Sequence, residues 1–254
     1  MRLPSLVGER RALALASLGF FGSLYTAVSL LAPDELRPLL WGLGACYVTA
    51  FFALGAGWFW ARWFATGIGW SGLVTAAFGL ASGLSPFLIF YGISHGLVVV
   101  ALLGRDMAEL YELRPGAASR LGLDEEGKRR LGKTVTRTAS ALPSLIAFAL
   151  APREGQGLLL AVAALAVTSI GLGALVRGRT WGLVALVGAP VLLLVAPGTP
   201  WPDWFSYDNV VQGAAIDSLA WVGSARLVAV AALTVALAPI GAPAVRWLRA
   251  RRRP

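Results

Sequence analysis

Apolar runs of about 20 residues, the length needed to cross ~30 Å of hydrocarbon, recur along this chain, separated by short polar gaps. Eight runs meet the pattern, over residues 12–32, 38–60, 63–83, 86–104, 134–151, 156–176, 180–196 and 225–245. They are too long for barrel strands and lack the alternation of a half-buried strand, so each reads as a helix. The expected fold is an all-α, polytopic integral membrane bundle with about eight transmembrane helices, forming a single membrane domain over 1–254. Residues 105–133 make one large loop and residues 197–224 the other. The fifth run starts close to Arg137 and contains Pro143, which weakens it as a span. The first run follows Arg2, Arg10 and Arg11, as a signal peptide would, but it is longer than an export h-region and no small-residue cleavage pattern follows; it reads as a retained span.

Charge orients the runs. One set of gaps holds the N-terminus, Arg62, the 105–133 loop with Arg137, the turn at Arg177 and Arg179, and the C-terminal tail; these carry nineteen of the 22 basic residues. Basic residues stay on the cytoplasmic side. With an even number of crossings, both termini are expected to be cytoplasmic, in a bacterial-type inner membrane. Nine of the ten tryptophans fall near run ends, where an amphipathic ring suits the headgroup level; Trp70 is the exception.

Composition agrees and narrows the classes. Hydrophobic residues make up 57% of the chain and charged ones 14%, too few to coat a soluble globule. The net charge of +9 does not point to nucleic acid, because the cations flank apolar runs instead of forming a patch. One cysteine, Cys46, rules out an internal disulfide and a cysteine-based metal site, and one histidine rules out the two-His ligation that most His-based metal or haem sites need; no metal or cofactor is expected. Two similar hairpin sequences, at 31–35 and 150–154, fit a duplicated four-helix unit, or simply the use of Ala-Pro to end a membrane helix.

Few residues can carry chemistry. His95 lies in the middle of the fourth run, where an ionisable group is costly unless paired. Tyr91 precedes it by one helical turn on the same face, and Gly92 and Gly96 form a small-residue step. The imidazole reads either as a relay or binding group, or as a neutral ring bonded to Tyr91 or to a hydroxyl on a neighbouring helix. Ser71, in the third run, lies at a similar depth, so a Ser71–His95 pair is the weak candidate for catalysis. Asp203, Asp208 and Asp217, set among aromatics in the 197–224 loop, are candidate binding groups for a cationic or sugar-like ligand, or part of an interfacial segment. The acidic turn Asp124-Glu125-Glu126 is expected to start an amphipathic helix that runs into the fifth span, with Leu131 and Val135 on its buried face. In the tail, Arg246, Arg249, Arg251, Arg252 and Arg253 suit anionic lipid headgroups.

Two functional classes follow. One is a non-catalytic multi-pass component, an accessory or assembly subunit or a transporter-like bundle, with membrane-protein partners held through glycine-rich helix faces. The other is an intramembrane hydrolase acting on lipid or peptide through Ser71 and His95.

Overall fold

A computed structural model of the protein describes residues 6–82, 85–112, 125–151, 158–195 and 229–239. Every described element is helical: α1 (Val7–Leu31), α2 (Arg37–Ala56), α3 (Ala61–Ser82), α4 (Pro86–Leu102), α5 (Arg105–Glu112), α6 (Glu125–Leu150), α7 (Leu158–Val176), α8 (Trp181–Val195) and α9 (Ala229–Pro239). Proline stands in the first turn of both α2 and α4, where its missing N–H would have had no intrahelical partner.

The first four helices pack as two antiparallel hairpins, α1 on α2 and α3 on α4, closed by α1 against α4 and α2 against α3. α3 is central, because it also carries α6 on its other side. α7 packs on α6, and α8 on α7. A continuous buried cluster joins these layers, from Ala14 in α1 through Leu145 in α6 to Leu233 in α9.

The expectation of about eight crossings does not hold. Among the described residues four helices are long and apolar enough to span a bilayer: α1, α2, Ala61–Leu80 of α3 and Leu159–Val176 of α7. A fifth exists only if α4 and α5, bent by 74°, act as one span. The remaining runs fail for identifiable reasons. α4 has 17 residues, and within the described residues α8 has 15 and α9 is also short. α6 is long at 26 residues, but Glu125, Glu126, Lys128, Arg129, Arg130, Lys133 and Arg137 occupy its first half. Apolar letters overstate a helix wherever the run passes through residues that have left it. Leu103 is extended and Gly104 has φ 100°, a conformation that suits glycine, so α4 ends two residues before its apolar run does. With the count goes the inference from an even number of crossings.

α5 is the amphipathic element at that bend. Met107 and Tyr111 are fully buried, and Tyr111 donates its hydroxyl to the carbonyl of Leu54 at the end of α2, 3.0 Å away. α6 begins at Glu125 and continues unbroken to Leu150, so the helix expected from the acidic turn is present, with Leu131 and Val135 buried. Its predicted cap, Asp124, lies outside the described residues.

Candidate functional site

His95 sits in a cage built from four helices. Pro86 starts α4 so that Tyr91 and His95, one turn apart, face α1 and α2. Phe21 comes from α1, with its ring centroid 4.6 Å from that of His95. Tyr47 comes from α2, and its hydroxyl lies 2.7 Å from His95 Nε2 and 3.0 Å from the Tyr91 hydroxyl. His95 Nδ1 is 2.7 Å from the Tyr91 carbonyl oxygen. His95 and Tyr47 are each 1% exposed.

These partners determine where the protons sit. A carbonyl only accepts, so Nδ1 carries hydrogen. In the neutral ring Nε2 then accepts from the Tyr47 hydroxyl, whose oxygen in turn accepts from Tyr91. Both imidazole nitrogens and both hydroxyls of this His95–Tyr47–Tyr91 relay are used, as buried polar groups in an apolar surrounding require. The two ring nitrogens are taken by Tyr47 and Tyr91, and Ser71 is bonded to neither.

The floor of the cage is Gly72 of α3. A Cβ placed there would lie 2.0 Å from His95 Cδ2, so only glycine lets the imidazole lie against this helix. Ser71 is buried on α3 beside that contact, and Trp70 points away from the bundle. The Gly92 and Gly96 step also faces α3, meeting Ala76 and Leu73, so it is spent on packing inside the chain. Sequence reasoning placed His95 and Tyr91 together but missed Tyr47, Phe21 and Gly72. A depth count would have found two of them, since Tyr47 and Phe21 each stand about ten residues from the same end of the bundle as His95, ~15 Å down at helical rise.

A second polar cluster closes the opposite end of these helices. Arg10 donates to the carbonyls of Val100 and Leu103 at the end of α4, and Arg11 donates to those of Leu54 and Gly55 at the end of α2. Arg62 donates to the Leu102 carbonyl and pairs with Glu112 of α5, which also accepts from the Trp63 indole at 2.8 Å. These cations meet unpaired carbonyls at the negative ends of two helix dipoles.

Two of the cavities formed by described residues lie outside the His95 cage. One, of about 890 Å³, runs between α2 and α7 over α6, and Cys46 lines it. The other, of about 740 Å³, is charged, with Arg62, Glu112, Glu126, Lys133 and Arg137 on its walls. There the Arg129 and Arg130 guanidinium groups hold the Glu126 carboxyl down to about 2. Among the described residues no group of three or more His, Cys, Asp or Glu is placed to hold a metal ion. Asp203, Asp208 and Asp217, and the tail residues Arg246, Arg249, Arg251, Arg252 and Arg253, lie outside the described residues.

A sealed aromatic cage inside long apolar helices, with large hydrophobic side chains such as Phe52, Ile93 and Val100 on the outer surface, defines a helical, membrane-associated multi-span bundle. No family model, curated protein or solved structure matches the chain.

Proposed function

We propose that the protein is a non-catalytic membrane component, an accessory or assembly subunit, held in a bacterial-type inner membrane with its arginine-bearing end at the cytoplasmic face. The observation that carries this reading is the closed state of His95. In the apolar middle of α1 to α4 it is the one acidic or basic side chain, and both of its nitrogens are committed to partners within the bundle. Ion-coupled transporters keep such a group on a pathway, and a hydrolase needs its base free for the nucleophile. Here the imidazole ties α2 to α4 instead. The orientation rests on Arg10, Arg11 and Arg62 crowding one end of the helices.

Purification of the full chain in mild detergent tests the reading. A second membrane polypeptide is expected to co-purify in fixed stoichiometry and to survive His95→Ala wherever that variant folds. A lone bundle that moves protons or solute in liposomes, with flux abolished by His95→Ala, overturns it in favour of transport. Labelling of Ser71 by a fluorophosphonate, lost in Ser71→Ala, overturns it in favour of the hydrolase.

A further inference from the structure

We propose that the cleft between α2 and α7 is a binding site for one acyl chain of an anionic phospholipid, with the lipid headgroup on Arg177. Three observations converge on this. The first is size and shape. At about 890 Å³ the cleft falls within the ~300–1,000 Å³ range of small-molecule sites, and its walls are apolar, with Ile146 and Leu172 among them. At ~1.5 Å per residue it extends ~17 Å along α7, from Leu165 to Val176, and ~21 Å along α2, from Gly42 to Ala56. Both lengths fall short of a ~30 Å hydrocarbon core. A partner helix would need a groove through the whole thickness, so the length favours a lipid tail.

The second observation is charge. Arg177 is the one charged side chain among the described lining residues, and no carboxylate accompanies it. It is exposed at the end of α7, with no hydrogen bond or ion pair to another described side chain. Arg10, Arg11 and Arg62, at other helix ends, are by contrast occupied with backbone carbonyls. A phosphate supplies the missing partner, in the geometry that guanidinium groups favour.

The third is the collar at the same end. Trp58 and Trp60, with ring centroids 5.3 Å apart, line the cleft beside Gly57. Indole rings seek the headgroup level, so they mark where the polar end of the ligand lies.

Native mass spectrometry of the full chain, equilibrated with equal amounts of phosphatidylglycerol and phosphatidylcholine in mild detergent, reads the site directly. One phosphatidylglycerol is expected to be retained in preference to phosphatidylcholine. Arg177→Gln is expected to lower that preference about fivefold, the factor one cation near a membrane surface supplies. Gly173→Phe is the steric arm. Gly173 lines the cleft, and a Cβ there meets nothing within 4 Å, so a side chain at this position starts into open space. It is expected to abolish retention of either lipid while leaving the fold intact by circular dichroism. The proposal is overturned if the unaltered protein shows no headgroup preference or if Arg177→Gln retains phosphatidylglycerol unchanged. It is equally overturned if Gly173→Phe binds as before, if the preference is lost only on replacing Arg246, Arg249, Arg251, Arg252 and Arg253 with Gln, or if a co-purifying helix occupies the cleft.

Discussion

Tyr47 holds more of the bundle interior together than its single hydroxyl suggests. Its oxygen serves His95 on one side and Tyr91 on the other, so Tyr47→Phe removes two hydrogen bonds between α2 and α4 and leaves the buried Nε2 of His95 without its partner. Interhelical hydrogen bonds in membrane proteins average ~0.6 kcal/mol, and an orphaned partner adds to that, so the expected loss is about 1–2 kcal/mol. Reversible unfolding in mixed micelles measures it; a variant as stable as the parent shows that the cage contributes only shape. Gly72 works by absence. Gly72→Ala forces the His95 ring to move, at an overpacking cost of about 1–3 kcal/mol. Gly96→Ala meets only Leu73 Cδ2 at 3.5 Å and is expected to be nearly neutral. A thermal shift series in detergent that ranks Gly96→Ala below Gly72→Ala contradicts this packing.

Among the elements, α5 depends on Arg62. One guanidinium joins the end of α4, through the Leu102 carbonyl, to Glu112 of α5. Arg62→Ala is expected to cost about 1.5–3 kcal/mol of local stability, as loss of a charge-assisted bond does. Faster amide exchange confined to Arg105–Glu112 reports it. Arg62→Lys does not restore protection, since an ammonium lacks the planar fork that reaches both acceptors. The first turn of α6 has its own pH signature. Its Glu126 carboxyl is held below the ordinary carboxylate range by Arg129 and Arg130. A depressed value stabilises the folded form fully above the ordinary carboxylate range, and the contribution is lost as pH falls toward about 2. A carboxyl NMR titration is expected to find the midpoint near there; in the Arg129→Gln, Arg130→Gln double variant it returns to the ordinary range. This whole amphipathic helix was legible beforehand, because the acidic turn, the basic turn after it and the Leu131–Val135 spacing are all local signals. The bend before α5 was less legible. It depends on Gly104 adopting a positive φ, which the letter Gly permits but does not require.

For the molecule as a whole, the bend decides between four crossings and five. With Arg105 and Glu109 exposed and Met107 and Tyr111 buried, α5 presents one polar face and one buried face, the arrangement of a helix lying across the end of the bundle. In a Cys46→Ala background, Glu109→Cys is therefore expected to react with a membrane-impermeant maleimide from the same side as Gly8→Cys. If Glu109→Cys is shielded, α4 and α5 form a single bent span.

The sequence alone determined the helical membrane class, because ~20-residue apolar runs and segregated arginines are dictated by the thickness and charge preference of a bilayer, and both are one-dimensional. It also set depth, bringing His95 and Ser71 to one level, since helical rise is constant. Direction around each helix was decided only by tertiary packing. The close approach of α3 at Gly72 and the arrival of Tyr47 from α2 turned His95 away from Ser71. Packing likewise gave Arg10, Arg11 and Arg62 to helix-end carbonyls and left Arg177 without a partner among the described side chains. How many runs complete a crossing also depended on where each helix stopped, and a chain leaves its helix through backbone angles that hydropathy does not record.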